Sequence, residues 1–272
     1  YKAMSDFETV LYKSSDSETW LSDPMGRIPN RAMYFGDGLF ETMVYDGEQI
    51  RFWDYHCERL SSGLTLLGFE DFKIPATEIT HLADFYGSGK PLRIRWTVYR
   101  EGLGKYSPES NLVSQVLHFQ SFHAAPKLKE IAGFSDSIFL VGNAFSSLKT
   151  ISALPYVLAN QEKVKKGLDE LILMDNTGNI SEGSTSNIFW MKDGRIFTPS
   201  LSTGCIDGVG RRVLIEKLAQ MGFEVNEGEF GQTDLLNADL VWVSNVTGIS
   251  MIHQTENQKF DPNLPDFLEN IL

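Results

Sequence analysis

A chain of 272 residues, 42% hydrophobic and 22% charged, is long enough for one or two domains with buried cores, and this composition excludes a disordered tail, a collagen-like repeat and a disulfide scaffold. Twenty-four basic residues against 36 acidic ones give a net charge of −12. Such a field repels phosphodiester backbones and argues against nucleic acid as a partner, while a small anionic substrate can still be met by local arginines.

Only Cys57 and Cys205 are cysteines, which suits a reducing cytoplasm better than a disulfide framework. No apolar run approaches the ~20 residues needed to cross a bilayer. The polar stretch Tyr1 to Val10 lacks the apolar centre of a signal peptide, so a cytoplasmic protein without a membrane partner is expected. No metal is expected either.

Strand-like and helical stretches alternate along the chain. Leu39–Val44 and Gln49–Phe52 flank Tyr45-Asp46-Gly47-Glu48, and the Asp-Gly pair predicts a β-hairpin. From Trp53 the spacing of Leu60, Leu64 and Leu67 predicts a helix that stops at Gly68. A short helix fits Ala76 to Tyr86. Leu92–Arg100 and Val113–Phe122 read as strands, the first with Ile94, Trp96 and Val98 on one face and the solvated arginines Arg93 and Arg95 on the other. The loop between them is polar and holds Gly102 and Gly104.

Polar, proline-bearing Ala124–Glu130 marks the best linker. The expected organisation is α+β in two domains: a smaller N-terminal domain over 1–125, a linker over 126–131 and a larger C-terminal domain over 132–272. In the second half, Ser137–Val141 predicts a strand, Ala153 to Lys166 a helix and Leu171–Met174 a strand. Ile188–Met191 and Arg195–Phe197 predict a hairpin around Lys192-Asp193-Gly194. Gly208 opens a helix to Met221, Leu240–Ser244 is an apolar strand, and Pro265–Leu272 a closing helix. There is no internal repeat.

Three segments carry candidate chemistry. Lys149 follows a small polar loop and precedes an apolar helix. By position it reads first as another surface lysine, and second as a desolvated amine able to condense with a carbonyl. Ser181-Glu182-Gly183-Ser184-Thr185-Ser186-Asn187 reads alone as a polar turn. Gly208-Val209-Gly210-Arg211 opens a helix, where backbone N–H groups attract a phosphate and glycine permits close approach, although such a pair also serves a plain turn.

Taken in order, these segments resemble the fold-type IV family of pyridoxal-phosphate (PLP) enzymes, which holds branched-chain and D-amino-acid aminotransferases and aminodeoxychorismate lyase. The resemblance runs from about Arg31 to His253. It passes through Tyr34-Phe35-Gly36-Asp37-Gly38-Leu39-Phe40-Glu41-Thr42, His56-Cys57-Glu58-Arg59-Leu60, Lys149, Glu182 to Asn187, Thr198-Pro199, Gly208 to Arg211 and Asn237-Ala238-Asp239. It implies that Lys149, in the C-terminal domain, is the Schiff-base lysine and proton shuttle. Glu182 would pair with the pyridine nitrogen and keep the ring protonated. Arg59 would grip the phosphate bidentately, together with the amides of Val209 and Gly210, and Asn245 would also touch the cofactor. Asn187 would support the Glu182 loop. A homodimer is implied as well.

Within the family, branched-chain aminotransferases usually place a tyrosine five residues after the lysine; here that residue is Leu154. The Pro-Arg-x-His trap of D-amino-acid aminotransferases is not visible. Gly104-Lys105-Tyr106-Ser107 is similar to the Arg-Gly-Tyr-Ser loop of the lyases, although Lys105 and the spacing depart from it. Ser244-Asn245-Val246 resembles their Cys-Asn-Ala. Against this, Glu182 to Asn187 resembles the D-amino-acid enzymes. The balance favours aminodeoxychorismate lyase, with Glu41, Lys105 and Tyr106 as substrate-binding candidates. A class IV aminotransferase acting on D-amino or branched-chain amino acids is the alternative, and a non-catalytic PLP-binding member is a third.

Overall fold

The computed structural model describes residues 7–22, 29–69 and 72–272. Of the polar stretch Tyr1 to Val10, positions 1–6 lie outside the described residues. The chain forms two compact units, one of 1–123 with 148–152, the other of 124–147 with 153–272. Among the described residues no helix is long and apolar enough to cross a membrane.

The first unit is an antiparallel sheet with helices. Its elements are β1 (Glu8–Lys13), α1 (Arg31–Phe35), β2 (Gly38–Tyr45), α2 (Trp53–Leu67), α3 (Ala76–Gly87), β3 (Leu92–Arg100) and β4 (Val113–Ser121), with strand order β1-β4-β3-β2. Alternation along β3 buries Ile94, Trp96 and Val98 with Leu39 and Met43 of β2, against Leu60 and Leu64 of α2 and Ile79 and Ala83 of α3. Helix α2 ends where its sequence predicts, because Gly68 takes a φ of 73° and donates back to the Leu64 and Thr65 carbonyls.

The expected hairpin forms only as a single bridge, with the Asp46 N–H donating to the Gln49 carbonyl at 3.0 Å and the Arg51 N–H to the Val44 carbonyl at 2.8 Å. Only Tyr45 and Ile50 bridge across the Asp-Gly turn, since Phe52 at φ 54° ends the extended backbone and starts α2. Arg93 and Arg95 are also not a plain solvated face. Both are half-buried; Arg93 donates to Gln120 at 2.8 Å, and the Arg95 guanidinium lies 3.7 Å from the Phe40 ring centroid.

Lys149 groups with this first unit, not with the C-terminal domain in which the sequence placed it. Strand β2 is an edge strand, and an edge offers unpaired backbone groups. The Phe40 N–H donates to the Lys149 carbonyl at 2.8 Å, and the Ile151 N–H to the Gly38 carbonyl at 3.0 Å. Gly38 makes this approach possible: a Cβ there would stand 2.5 Å from both the Ile151 side chain and the Val98 carbonyl oxygen.

The second unit comprises β5 (Leu128–Leu140), α4 (Leu154–Lys165), β6 (Glu170–Asp175), β7 (Ile180–Gly183), β8 (Asn187–Lys192), β9 (Arg195–Pro199), α5 (Val209–Gln220), β10 (Val225–Gly228), α6 (Gln232–Leu236), β11 (Leu240–Asn245) and β12 (Gly248–Gln254). The sheet order is β10-β9-β8-β11-β12-β5-β6-β7. The predicted turn between β8 and β9 places Asp193 and Gly194 both at positive φ, 49° and 77°.

Two boundaries differ from expectation. Positions 128–131 of the expected linker already belong to β5, whose Leu128, Lys129 and Ile131 pair with Met251, Ile252 and Gln254 of β12. The closing helix shrinks to one 3-10 turn, Asp266–Leu268, because Glu269 turns extended and Asn270 takes a φ of 56°. Leu268 and Ile271 still pack on Leu214 and Leu218 of α5.

Gly38→Ala is expected to lower stability to urea unfolding by about 3 kcal/mol, the upper end of overpacking costs, because one of the crowding atoms is backbone. An unmoved midpoint would contradict the close approach of 148–152 to β2.

Candidate functional site

In the first unit the Lys149 amine lies 4.7 Å from the centroid of the Phe40 ring, which also carries Arg95. A ring between two cations holds both by its negative face. Lys149 is half-buried, and its backbone is fixed to β2 as described.

The next residue on β2, Glu41, points to the other face and is 1% exposed. His56 and Arg59, three residues apart on α2, share one helix face. The His56 Nδ1 lies 2.7 Å from Glu41 Oε2, and Arg59 donates from Nε to Oε1 at 2.8 Å and from Nη2 to Oε2. Burial alone raises the Glu41 carboxyl, but the Arg59 charge and the hydrogen bonds of His56 and Arg59 outweigh it and hold the group at about 2. Glu41 therefore positions Arg59 and does not present itself to a substrate. The Nε–Nη2 edge of Arg59, expected to grip a phosphate bidentately, is engaged by Glu41.

Lys105 and Tyr106 stand on a loop tied down through its backbone. Arg31 donates to the Leu103 and Lys105 carbonyls at 2.8 and 2.7 Å and to that of Tyr106 at 3.3 Å. Both side chains are exposed, Tyr106 to 89%, and its ring is tilted against that of Phe35 with centroids 5.6 Å apart.

In the second unit, Glu182 on β7 is 3% exposed. Its Oε1 accepts from the Tyr156 hydroxyl at 2.5 Å and from the Ile206 N–H at 3.1 Å, and its Oε2 accepts from Asn187 Nδ2 at 3.3 Å. Asn187 Nδ2 also donates to the Ile206 carbonyl at 2.8 Å, linking this loop to the chain before α5. Burial and the neighbouring Glu182 charge push the Cys205 thiol up to about 12, so it is no nucleophile at neutral pH.

The serines after Glu182 are more than a polar turn. They close around Glu170, a fully buried carboxylate that accepts from the Ser184 N–H at 2.9 Å, the Ser184 hydroxyl at 2.7 Å and the Ser186 hydroxyl at 3.1 Å, and pairs with Lys129. Burial raises the Glu170 carboxyl, and the Lys129 charge with these donors more than reverses that. Gly183 leaves room for the wrap, since a Cβ there would stand 2.8 Å from the Ser186 hydroxyl. Glu170, Lys129 and Tyr156 were not among the sequence's candidates, and His56 stood in the His56–Leu60 motif without a role assigned to it.

Val209 and Gly210 form the buried first turn of α5. Gly208 caps it without a side-chain hydrogen bond, and a Cβ on Gly208 would collide with Asn187 Oδ1. First-turn N–H groups of a helix lack intrahelical partners and favour anions. Gly210 packs against Asn245, where a Cβ would lie 3.1 Å from the carbonyl carbon. The Asn245 amide is occupied locally: it donates to the Thr185 carbonyl at 3.3 Å and accepts from Thr247 N–H and Oγ1 at 2.8 and 2.6 Å.

The donor set fits PLP by its chemistry. An amine held by an aromatic ring can take an aldehyde, a buried carboxylate with three donors can face a ring nitrogen, and a buried guanidinium and a helix start with no capping side chain suit a phosphate. Among the described residues no group of three or more His, Cys, Asp or Glu is arranged to hold a metal ion.

A family model described as amino-transferase class IV matches residues 38–254. An aminodeoxychorismate lyase of Vibrio harveyi is 27% identical over 252 residues, 86% of this chain and 91% of that protein. A branched-chain-amino-acid aminotransferase of Pseudomonas aeruginosa is 24% identical over 275 residues, 94% of this chain and 88% of that protein. Among solved structures, the 4-amino-4-deoxychorismate lyase of Pseudomonas aeruginosa superposes with a TM-score of 0.79 at 23% identity, covering 95% of this chain and 94% of that one. The PLP-bound form of a hypothetical aminotransferase from Mycobacterium tuberculosis gives 0.78 at 17% identity, covering 95% of each chain. The structural likenesses show a shared fold.

The Glu41 cluster sets a pH dependence. A carboxylate whose folded value is depressed stabilises the fold fully above its unfolded value of 4.5 and loses that contribution as pH falls toward about 2. Glu41→Gln is expected to cost roughly 3 kcal/mol at pH 7, with the gap from the parent protein closing between about pH 4.5 and 2 in urea unfolding. A gap independent of pH would contradict the ion cluster.

Proposed function

The chain belongs to the class IV aminotransferase family, a PLP-dependent enzyme family, and on that premise we propose that it is a 4-amino-4-deoxychorismate lyase. In this reading it eliminates pyruvate to leave 4-aminobenzoate, a step in folate biosynthesis. Leu154, at the fifth place after Lys149 where branched-chain aminotransferases usually carry a tyrosine, counts against that branch. The observation that carries the choice over the D-amino-acid enzymes is the loop Gly104-Lys105-Tyr106-Ser107 in place of a Pro-Arg-x-His trap. Ser244-Asn245-Val246 and the lyase relative from Vibrio harveyi support it. A homodimer working in the cytoplasm belongs to the same reading.

Bound PLP supplies an electron sink through its protonated ring. Lys149 would hold the coenzyme through its amine and would be the base that takes the proton from the substrate's amine-bearing carbon. Breaking the neighbouring C–O bond releases the enolpyruvyl group, which leaves as pyruvate once its terminal carbon is protonated, and Lys149 returns that proton. Aromatisation of the ring drives the step. Glu182 would pair with the ring nitrogen, its carboxylate oriented by the Tyr156 hydroxyl, the Asn187 amide and the Ile206 N–H. The phosphate would be bound by the first-turn amides of Val209 and Gly210, and the resemblance adds Arg59. Asn245 contributes by packing on Gly210. Lys105 and Tyr106, exposed on their anchored loop, are offered to the anionic substrate.

Transamination of a D-amino or branched-chain amino acid is the second reading. The run Glu182 to Asn187 resembles the D-amino-acid enzymes, and a branched-chain aminotransferase is 24% identical over 275 residues. In that reading the same lysine would be the base for the proton on the substrate's α-carbon.

Purified protein given 4-amino-4-deoxychorismate is expected to form 4-aminobenzoate and pyruvate in equal amounts. Formation no faster than in buffer, together with conversion to the pyridoxamine form by a single amino acid, would overturn the lyase reading in favour of transamination. Lys149→Ala should lose the near-ultraviolet and visible absorbance of attached coenzyme while its melting curve persists; an unchanged spectrum would remove Lys149 from the chemistry. Glu182→Gln should reduce turnover by at least about 10-fold while changing coenzyme affinity less, since it removes charge needed most in the transition state. Equal turnover would contradict its role.

A further inference from the structure

Tyr156 has no task in the proposed reaction, yet its hydroxyl donates to Glu182 Oε1 at 2.5 Å. Such a length belongs to a charge-assisted O–H···O bond. The placement is built by helix α4. Leu154 and Val157 are exposed, whereas Tyr156 turns inward onto Leu140, Ala159 and Leu171. One turn further, Asn160 donates to the Tyr156 carbonyl at 2.8 Å and to the Ser184 carbonyl at 3.3 Å. The same helix face thus holds Glu182 through its carboxylate and the loop after it through its backbone.

We infer that Tyr156 is a positioning residue for the reaction, which lowers the proton affinity of Glu182 by donating to Oε1 and so keeps the shared proton on the coenzyme's ring nitrogen. The inference rests on the assignment of Glu182 as partner of that nitrogen. A carboxylate stripped of a strong donor is a stronger base; it would draw the proton off the ring and weaken the electron sink. The Ile206 N–H, at 3.1 Å on the same oxygen, is the longer and weaker donor and cannot replace it. Burial and the Glu182 charge push the phenol far above its ordinary range, so Tyr156 keeps its proton and acts as a donor at any working pH. Its place seven residues after Lys149 gives no hint of this, because the partner lies 26 residues further along the chain.

The test uses the holoprotein loaded with PLP labelled with nitrogen-15 in the ring, and reads the ring-nitrogen resonance in the parent protein, Glu182→Gln and Tyr156→Phe. The parent should show a protonated ring, and Glu182→Gln a displacement toward neutral pyridine. Tyr156→Phe should show a smaller displacement in the same direction, with coenzyme stoichiometry unchanged, kcat lowered on the order of 10-fold and KM within about twofold. A displaced Glu182→Gln signal beside an unmoved Tyr156→Phe signal overturns the inference while leaving the Glu182 assignment standing. An unmoved signal in Glu182→Gln removes that assignment and the inference with it. Should Tyr156→Phe fail to fold, 3,5-difluorotyrosine at position 156, a stronger donor, should displace the signal opposite to Glu182→Gln, and no displacement contradicts the inference.

Discussion

The short backbone pairing between the edge of β2 and residues 148–152 is the constraint on which the first unit's chemistry depends. It fixes the carbonyl of Lys149 to the Phe40 N–H at 2.8 Å, and thereby the root of the only side chain proposed to become covalently attached. Because side chains alternate along a strand, two adjacent residues of β2 then serve two faces. Phe40 meets the Lys149 amine and Arg95; Glu41 turns into the core and holds Arg59 and His56. A slip of one residue in this pairing would exchange the two faces.

The second unit solves a different electrostatic problem. Two of the carboxylates it buries, Glu170 and Glu182, hold the loop of 183–187. Leaving either unpaired in a low-dielectric interior would cost several kcal/mol, so each is surrounded by donors. Glu170 takes the lysine and the serine hydroxyls, which neutralises it and fixes the loop. Glu182 accepts from the Tyr156 hydroxyl, the Asn187 amide and the Ile206 N–H, which fix the direction of its carboxylate.

Elements with a strong local signal were legible in the sequence. Leu60 and Leu64 with Gly68 defined α2, the alternation around Trp96 defined β3, and Asp193-Gly194 defined its turn, because each is decided by neighbours a few residues away. The errors came where tertiary pairing overrides local pattern. The polar run at 126–131 looked like a linker, yet β12 recruits its second half into the sheet. The four-residue strands β7 and β10 are too short to show a period. The motif residues Lys149, Glu182 and Gly208 were singled out by resemblance, but the partners that tune them were not. His56, Tyr156 and Glu170 reach their carboxylate or loop partners across 15, 26 and 14 residues, and no short spacing records such contacts.

The central claim is that the amine at position 149 takes the coenzyme's aldehyde. Incubation with PLP, reduction with borohydride and mapping of the digested protein by mass spectrometry tests it most directly. The account predicts the pyridoxyl mass on the peptide containing Lys149 and on no other lysine at comparable yield. A label on another lysine, or none at all, would contradict it.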